Sequence, residues 1–278
     1  MAGGGLYGSE AVSMRTAEGF SDVIKRQAEL PVFTSPPEPD CAADIVASNS
    51  QRWDVRFEPS MDSIVRTVRE GQVDGTFADR MSLVCEFQLS RLREIGEGVW
   101  AEPFLDLREF SDEELRDRWR ELRVLTNLYE KLPVPEGAAA LGRRLVRDVV
   151  RRSPLSSFGV DVECATDLLM AAPSWHHGDV HRGNVRCGSD GEVVFLDHEW
   201  MAVTGRGWAN VPVLAGFSVL PLSQRMEIAG VTDDLASFVV AYAARFPGVL
   251  ERSAPASDEL AELLRTVLPC QPFGSCAR

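Results

Sequence analysis

The stretch from Trp175 to Trp200 constrains this 278-residue chain more than any other part of its sequence. It reads WHHGDVHRGNVRCGSDGEVVFLDHEW and contains all 4 histidines of the protein. Asp179, Asn184 and Asp197 follow one another in it at intervals of 5 and 13 residues. Side chains at these intervals meet only if the chain folds back on itself between the second and the third.

The residues between Asn184 and Asp197 predict such a fold, a β-hairpin. Val185–Cys187 is a short extended run, and Val193–Leu196 is β-branched and apolar, with the turn residues GSDG between the two. A hairpin of this length returns Asp197 to the side of Asn184, and Asp179, on the loop just before it, faces both. Carboxylate and amide oxygens suit Mg²⁺, and one carboxylate remains to act as a base.

The sequence pattern of this stretch resembles that of the aminoglycoside phosphotransferase and choline kinase-like family. In that family a loop H-G-D-x-H-x-x-N precedes an apolar strand that ends in Asp. His177–Asn184 matches the loop and Phe195–Asp197 matches the strand. The resemblance implies an α+β, protein kinase-like fold with a small β-rich N-terminal lobe and a larger, mostly α-helical C-terminal lobe. The alternative is a histidine-rich loop held by ordinary hydrogen bonds.

The resemblance also implies a reaction and a role for each residue. The γ-phosphoryl group of ATP or GTP would pass to a hydroxyl group of a small molecule. Asp179 would accept or orient the hydroxyl proton, and His181 would hydrogen-bond the transferred group. Asn184 and Asp197 would hold Mg²⁺ against the phosphates. Arg182 is open to two interpretations, an exposed residue or a phosphate contact.

The N-terminal third supplies candidates for nucleotide binding. Lys25 follows a glycine-rich start and an alternating stretch, which suits the phosphate-contacting lysine of a kinase-like lobe. Arg56, on a strand-like stretch, is the fallback cation. Residues 76–95 show helical spacing, and Glu86 within them is the candidate partner of the lysine by its order along the chain.

The lobes are expected to join near residue 106. The strand Val99–Ala101 runs into Glu102 and Phe104, where kinase-like folds connect their lobes and backbone groups meet the adenine. Several prolines after residue 30 indicate a loop or an insertion. The expected units are an N-terminal nucleotide-binding lobe, 1–106, with an insertion at about 31–75, and a C-terminal catalytic and substrate-binding lobe, 107–278.

Helical patterns dominate the sequence after residue 110. Ser111 to Glu114 reads as a capping box that starts a helix, and Ala138–Arg152 predicts a second one. A third helix is expected over 161–172, and further helices over 211–246 and 257–268. Asn210 stands where family members often carry an Asp that ties down the catalytic loop. Because an amide carries no charge, this tie is expected to be weaker here.

Composition excludes several classes of protein. The net charge of −13 lacks the basic footprint of a nucleic-acid binder, and it suits a cleft that attracts a cationic small molecule. No run of about 18 apolar residues predicts a membrane span. The N-terminus lacks the features of a secretion signal, so a cytoplasmic location is expected. The 6 cysteines have no metal-ligand spacing, although the clustered histidines leave zinc as a minor alternative.

The preferred function is an antibiotic-modifying O-phosphotransferase. The first alternative is a metabolic kinase for choline, a sugar or an amino acid, because the helical lobe and not the catalytic loop chooses the acceptor. The second alternative is a non-catalytic binding protein with a kinase-like fold. The divergent first lobe and Asn210 keep this alternative open, and the intact Asp179, Asn184 and Asp197 argue against it. The oligomeric state is left open.

Overall fold

The computed structural model describes residues 53–68, 75–87, 89–103, 105, 107–231, 235–250 and 257–268. Lys25 and Phe104 lie outside these residues, as does the side chain of Arg56. The described part is α+β, as the sequence predicts, with short antiparallel sheets and a larger helical portion. No helix within it is long and apolar enough to cross a membrane.

A four-stranded antiparallel sheet comes first in the described part of the chain. Its order is β1-β2-β4-β3. The stretch SIVRTV of the second strand is rich in β-branched residues, and it buries Val65. Residues 53–68 fall inside the expected insertion at about 31–75, yet they form a hairpin within the sheet. The strands are β1 Trp53–Glu58, β2 Ser63–Val68, β3 Arg93–Gly96 and β4 Val99–Pro103.

Helix α1, Phe77–Glu86, connects this sheet to the rest of the protein. Met81 and Val84 are buried at helical spacing, and the Phe77 ring meets Trp100 of β4 edge-on, with the ring centroids 6.0 Å apart. The helix is shorter than the predicted 76–95. Its apolar cluster continues into residues near the predicted catalytic segment, namely Trp175, Met201 and Val203. Burial of this shared cluster therefore fixes the sheet against the catalytic segment.

The helical portion agrees closely with the sequence pattern. The Ser111 hydroxyl accepts a hydrogen bond from the Glu114 N–H, and the Glu114 carboxylate accepts one from the Ser111 N–H, so the predicted capping box is present. The helices are α2 Asp112–Tyr129, α3 Ala138–Arg152, α4 Val162–Leu169, α5 Arg206–Gly216, α6 Leu222–Ala229, α7 Leu235–Arg245 and α8 Ser257–Val267.

Helix α7 occupies the centre of this portion. Residues 237–244 are all buried, as expected of a helix that is apolar on every side. It packs against α5, α8 and α4. The polar residue Arg245 ends this helix, so the core of the helical portion delivers one guanidinium group to a defined place.

Two short strand pairs frame the predicted catalytic segment. The strand β5, Ser174–His176, pairs with β8, Ala202–Thr204. Between them β6, Val185–Cys187, and β7, Val193–Phe195, form the predicted hairpin, with Val185 opposite Phe195. Gly191 has a φ of +86°, which favours glycine in the turn. The hairpin prediction is confirmed.

Candidate active site

The loop over residues 177–184 leaves β5 through a close approach that only glycine permits. Gly178 has a φ of +80°, and a Cβ atom there would lie 2.3 Å from the carbonyl oxygen of Trp200. The turn places Asp179 on the side of the loop that faces the hairpin. The 177–184 loop therefore lies directly against the turn formed by residues 197–201.

Asp179 and Asn184 meet across the 177–184 loop. The Asn184 Nδ2 group donates to the Asp179 carbonyl oxygen at 3.0 Å and to its carboxylate Oδ2 at 3.2 Å. A short helical turn between them is closed by a hydrogen bond from the Asn184 N–H to the His181 carbonyl oxygen, at 2.9 Å. Because both amide hydrogens point at Asp179, the Asn184 Oδ1 atom remains as a ligand for a cation.

The hairpin returns Asp197 to this loop. The Leu196 N–H donates to the Asn184 carbonyl oxygen at 2.8 Å, at the open end of the hairpin. Asp197 follows at a φ of +59°, in the left-handed region that Asp tolerates better than most residues. Burial raises the pKa of its carboxyl, and the charges of Asp179 and Glu102 add to this, against the lowering effect of Arg66 and His181.

The oxygen atoms of Asn184 and Asp197 fit Mg²⁺. Among the described residues no group donates a hydrogen bond to the Asp197 carboxylate, so a cation there would compensate a half-buried charge. Mg²⁺ is usually held by one or two carboxylates together with phosphate oxygens and water. No group of three or more His, Cys, Asp or Glu in the described ranges is arranged to hold a metal, so the four histidines form no zinc site.

His181 lies beside the Asp179 carboxylate in a fixed orientation. Its Nδ1 atom accepts a hydrogen bond from the Gly183 N–H at 3.0 Å, so the ring carries a hydrogen on Nε2. Nε2 lies 3.6 Å from Asp179 Oδ2. A Cβ atom on Gly216 of α5 would lie 2.2 Å from the His181 Cβ, so the glycine permits this close approach.

The Asp179 carboxyl has a lowered pKa despite its burial. Burial acts to raise the pKa, but the hydrogen bond with His181 and the positive charge of Arg245 outweigh it. The Arg245 Nη2 atom lies 3.3 Å from Asp179 Oδ1. Asp179 is therefore a carboxylate at neutral pH, as a proton-accepting residue must be.

Arg66 of β2 supplies a positive charge that acts to lower the pKa of the Asp197 carboxyl. Its Nε and Nη2 atoms donate to the Glu102 Oε1 atom at 2.9 and 2.6 Å. Both side chains are largely buried, at 15% and 14% exposure. Burial acts to lower the pKa of Arg66, but Glu102, Asp197 and Glu199 raise it overall. The sequence interpretation missed this residue, whose signal is one charge within the apolar strand SIVRTV.

The structure does not bring together three other candidate residues from the sequence, namely Glu86, Glu102 and Arg182. Glu86 is exposed at the end of α1 and forms no ion pair with a described residue. Glu102, predicted to meet the nucleotide base through its backbone, uses its side chain to bind Arg66. Arg182 is bound to Asp112 at 2.6 Å, beside the start of α2, and so is not directed at the cluster of Asp179 and Asn184.

A second buried arginine, Arg80 of α1, holds the 197–201 turn. Its Nη1 atom donates to the carbonyl oxygens of Glu199 at 2.9 Å and Met201 at 3.2 Å. Its Nε atom donates to the Thr76 hydroxyl at 3.1 Å. The helix beneath the sheet therefore fixes the backbone that follows Asp197.

The expected role of Asn210 is wrong. Its Nδ2 group donates to the Ala229 carbonyl oxygen at 3.2 Å, so the amide joins α5 to α6 and does not bind the 177–184 loop. Helices α5 and α6 pack together, and the hydrogen bond of the Asn210 amide is part of that contact. Arg245 binds the loop instead, with a hydrogen bond to the Gly178 carbonyl oxygen.

Buried histidines support the loop from below. Burial lowers the pKa of both His176 and His177 to about 4. The Nδ1 atom of His177 accepts a hydrogen bond from the Asp179 N–H at 3.4 Å, and its ring meets the rings of Phe195 and His198. The neutral His177 ring therefore contacts both the backbone of Asp179 and the hairpin.

A cavity of about 490 Å³ lies beside the site. Its lining includes Glu102, Leu196 and His198, together with apolar residues of α2. Asp179 and Asn184 are not among the lining residues, so the cavity borders the cluster and does not cover it.

Comparison with solved structures identifies the fold. The choline kinase LicA from Streptococcus pneumoniae, in complex with AMP, is 10% identical, with a TM-score of 0.50 over 86% of this chain and 95% of LicA. A macrolide 2'-phosphotransferase type I is 14% identical over 82% and 91% of the two chains, with a TM-score of 0.45. The ADP-bound aminoglycoside phosphotransferase APH(2'')-Ib is 10% identical over 91% and 99%, with a TM-score of 0.47.

Comparison of sequences alone does not detect this similarity. Neither a scan against family models nor a search of curated proteins returns a match to this chain. The structural agreement extends over most of both chains. The chain therefore has the protein kinase-like fold that the choline kinase LicA shares.

Proposed function

We propose that this protein transfers the γ-phosphoryl group of ATP or GTP to a hydroxyl group of a small molecule. The observation that carries the proposal is the convergence of Asp179, Asn184 and Asp197 at the open end of the hairpin. A carboxylate with a lowered pKa lies beside oxygen ligands suited to Mg²⁺, and the positive charge of Arg66 acts on Asp197. This arrangement provides the parts that phosphoryl transfer requires.

Asp179 would receive the proton in this reaction. The acceptor oxygen forms a bond to the γ-phosphorus while the bond from that phosphorus to the bridging oxygen breaks. The bonding electron pair leaves with the nucleoside diphosphate, and the hydroxyl proton passes to Asp179. Because the transition state is loose, orientation of the hydroxyl group contributes more than its early deprotonation. The Nε2–H group of His181, 3.6 Å from Asp179 Oδ2, would hydrogen-bond the transferred phosphoryl group.

The donor nucleotide would span both portions of the chain. Asn184 Oδ1 and the Asp197 carboxylate would hold Mg²⁺, which neutralises phosphate charge. Arg66 would add a second positive charge at the phosphates, in the role predicted for Lys25 or Arg56. The nucleotide base would lie at the connection near Glu102 and Phe104, and the two lobes would divide near residue 106.

An antibiotic is the proposed acceptor. The net charge of −13 favours a cationic molecule, because acidic clefts attract cations. A cytoplasmic location supplies the nucleotide. The second candidate is a metabolic kinase acting on choline, a sugar or an amino acid, and the likeness to the choline kinase LicA favours it. A non-catalytic binding protein is disfavoured, because Asp179, Asn184 and Asp197 are all present and Asn184 binds the Asp179 carboxylate.

A nucleotide-consumption screen with Mg²⁺ tests this proposal. Wild type and Asp179→Ala are assayed with ATP and GTP against aminoglycoside, peptide and nucleoside antibiotics, choline and common sugars. An acceptor-dependent signal that the variant lacks establishes phosphotransferase activity and identifies the acceptor class. Failure of Mg²⁺-nucleotide to bind wild type, together with silence across the panel, refutes the proposal.

A further inference from the structure

We propose that Arg245 is a positioning residue that fixes the 177–184 loop and the Asp179 carboxylate for phosphoryl transfer. This inference rests on the proposed function, since Asp179 is the residue that it positions. The Arg245 Nη1 atom donates to the carbonyl oxygens of Gly178 and of Trp208, the latter at 3.3 Å. Its Nη2 atom donates to Asp179 Oδ1 at 3.3 Å. One planar group thus joins the loop to the first turn of α5.

The guanidinium group of Arg245 has little freedom to leave this position. Its side chain is only 6% exposed. The group lies over the ring of Trp200, 4.6 Å from the centroid, and over that of Trp208 at 5.3 Å. It also extends from the end of α7, whose buried length fixes its origin. A planar, charged group packed on aromatic rings provides a rigid donor.

Arg245 completes the contacts that orient the Asp179 carboxylate. It binds Oδ1, while Asn184 Nδ2 binds Oδ2 at 3.2 Å and His181 Nε2 lies 3.6 Å from Oδ2. With donors at both oxygens, the plane of the carboxylate is defined. Without Arg245, rotation of the carboxylate and movement of Gly178 are both released. Displacement of a reacting group by about 1 Å costs on the order of 10²-fold in rate.

Two other arginines near the site bind carboxylates other than Asp179. Arg182 binds Asp112, and Arg66 binds Glu102. Asn210, expected to hold the loop, binds Ala229. Arg245 reaches the 177–184 loop from a distant helix and binds both the loop backbone and the Asp179 carboxylate.

Steady-state kinetics of Arg245→Met and Arg245→Lys test the positioning role. We expect kcat to fall about 10²-fold in Arg245→Met, with both KM values within about threefold of wild type. Arg245→Lys restores part of the loss, because it keeps the charge but not the planar fork. The matched control is Arg225→Met, which removes a buried arginine whose hydrogen bond goes to the Leu214 carbonyl oxygen. Its kcat stays near that of wild type.

A double-mutant cycle separates positioning from a merely structural role. If Arg245 acts through Asp179, then Arg245→Met lowers the residual kcat of Asp179→Asn by less than about twofold. An equal fall in kcat on the wild-type and Asp179→Asn backgrounds overturns the proposal.

Hydrogen exchange measured by mass spectrometry tests the same contact without an acceptor. In Arg245→Met, peptides covering 177–184 should exchange faster, while peptides of α3 exchange as in wild type; Arg225→Met should leave the 177–184 peptides unchanged. Unaltered exchange of the loop, or equal acceleration in loop and α3, overturns the positioning role. Silence of wild type across the acceptor panel, together with failure to bind Mg²⁺-nucleotide, refutes the proposed function instead, and the exchange result then decides the Arg245 contact by itself.

Discussion

Asp179 and Asp197 lie at the two ends of one short segment, yet their surroundings differ in kind. Asp179 has donors at both carboxylate oxygens, from Arg245 and Asn184, and its pKa is lowered. Asp197 has no hydrogen-bond donor among the described residues, and its pKa is raised, first by burial. Arg66, whose positive charge acts on Asp197, is bound to Glu102.

The difference indicates a division of work between the two carboxylates. A group whose charge the protein has already compensated is prepared to orient a hydroxyl and accept its proton. A group whose charge is left uncompensated is prepared to bind a cation. Two carboxylates placed in contrasting environments are a common way to obtain two roles from one residue type. The same Asp→Asn substitution should therefore have different effects at the two positions.

Asp179→Asn should have the largest effect. The amide cannot accept the hydroxyl proton, and we expect kcat to fall by about 10³-fold. Binding of the Mg²⁺-nucleotide, measured by calorimetry, should stay within about threefold of wild type, because Asp179 is not a proposed ligand. Loss of nucleotide binding in Asp179→Asn would contradict the division of work.

Asp197→Asn should reverse that pattern. We expect kcat/KM for the nucleotide to fall by about 10²-fold, and the Mg²⁺ concentration for half-maximal activity to rise. The measurement is a Mg²⁺ titration of activity at fixed acceptor concentration. If the variant lowers kcat and leaves the Mg²⁺ dependence as in wild type, Asp197 is not a metal ligand.

Arg66→Met tests the cation whose charge acts on Asp197. Removing the guanidinium leaves Glu102 unpaired and takes one positive charge from the proposed phosphate site, so we expect the nucleotide KM to rise about tenfold. The acceptor KM should change little. Arg91→Met, an exposed arginine whose side chain is 51% accessible, is the matched control. Equal effects of the two substitutions would assign Arg66 a purely structural role.

Local sequence patterns predicted the catalytic segment well. Alternating apolar residues and turn residues determine a hairpin within a few positions, so the meeting of Asn184 and Asp197 followed from chain geometry. The capping box at Ser111 and the helix Ala138–Arg152 were also found, since both depend on neighbouring residues alone. The structure bears out these predictions because the interactions behind them are short in sequence.

Long-range partners were not predictable in this way. Arg245 lies 66 residues after Asp179, and its position at the end of an apolar helix is equally typical of a residue that caps a helix dipole. Arg66 and Glu102 meet only because β2 and β4 are neighbours in the sheet. Asn210 was misassigned for the same reason: its place in the chain did not reveal that it faces α6.

The smallest expected effect is the loss of folding stability at low pH that comes from a buried histidine near Asp179. His176 has a folded pKa of about 4 against an ordinary 6.5, so the unfolded chain binds a proton between these values and the folded one does not. Stability is therefore lost as pH falls through 6.5, by about 2 kcal/mol for this residue at pH 5.

Urea unfolding from pH 7.5 to 5 measures this loss. These pH values lie above the range in which carboxylates with lowered pKa values become protonated. His176→Gln keeps a donor and acceptor near Ser174, 3.1 Å away in wild type, and cannot titrate. We expect the variant to lose about 2 kcal/mol less than wild type over this interval, and equal losses would show that His176 is solvated in the folded protein.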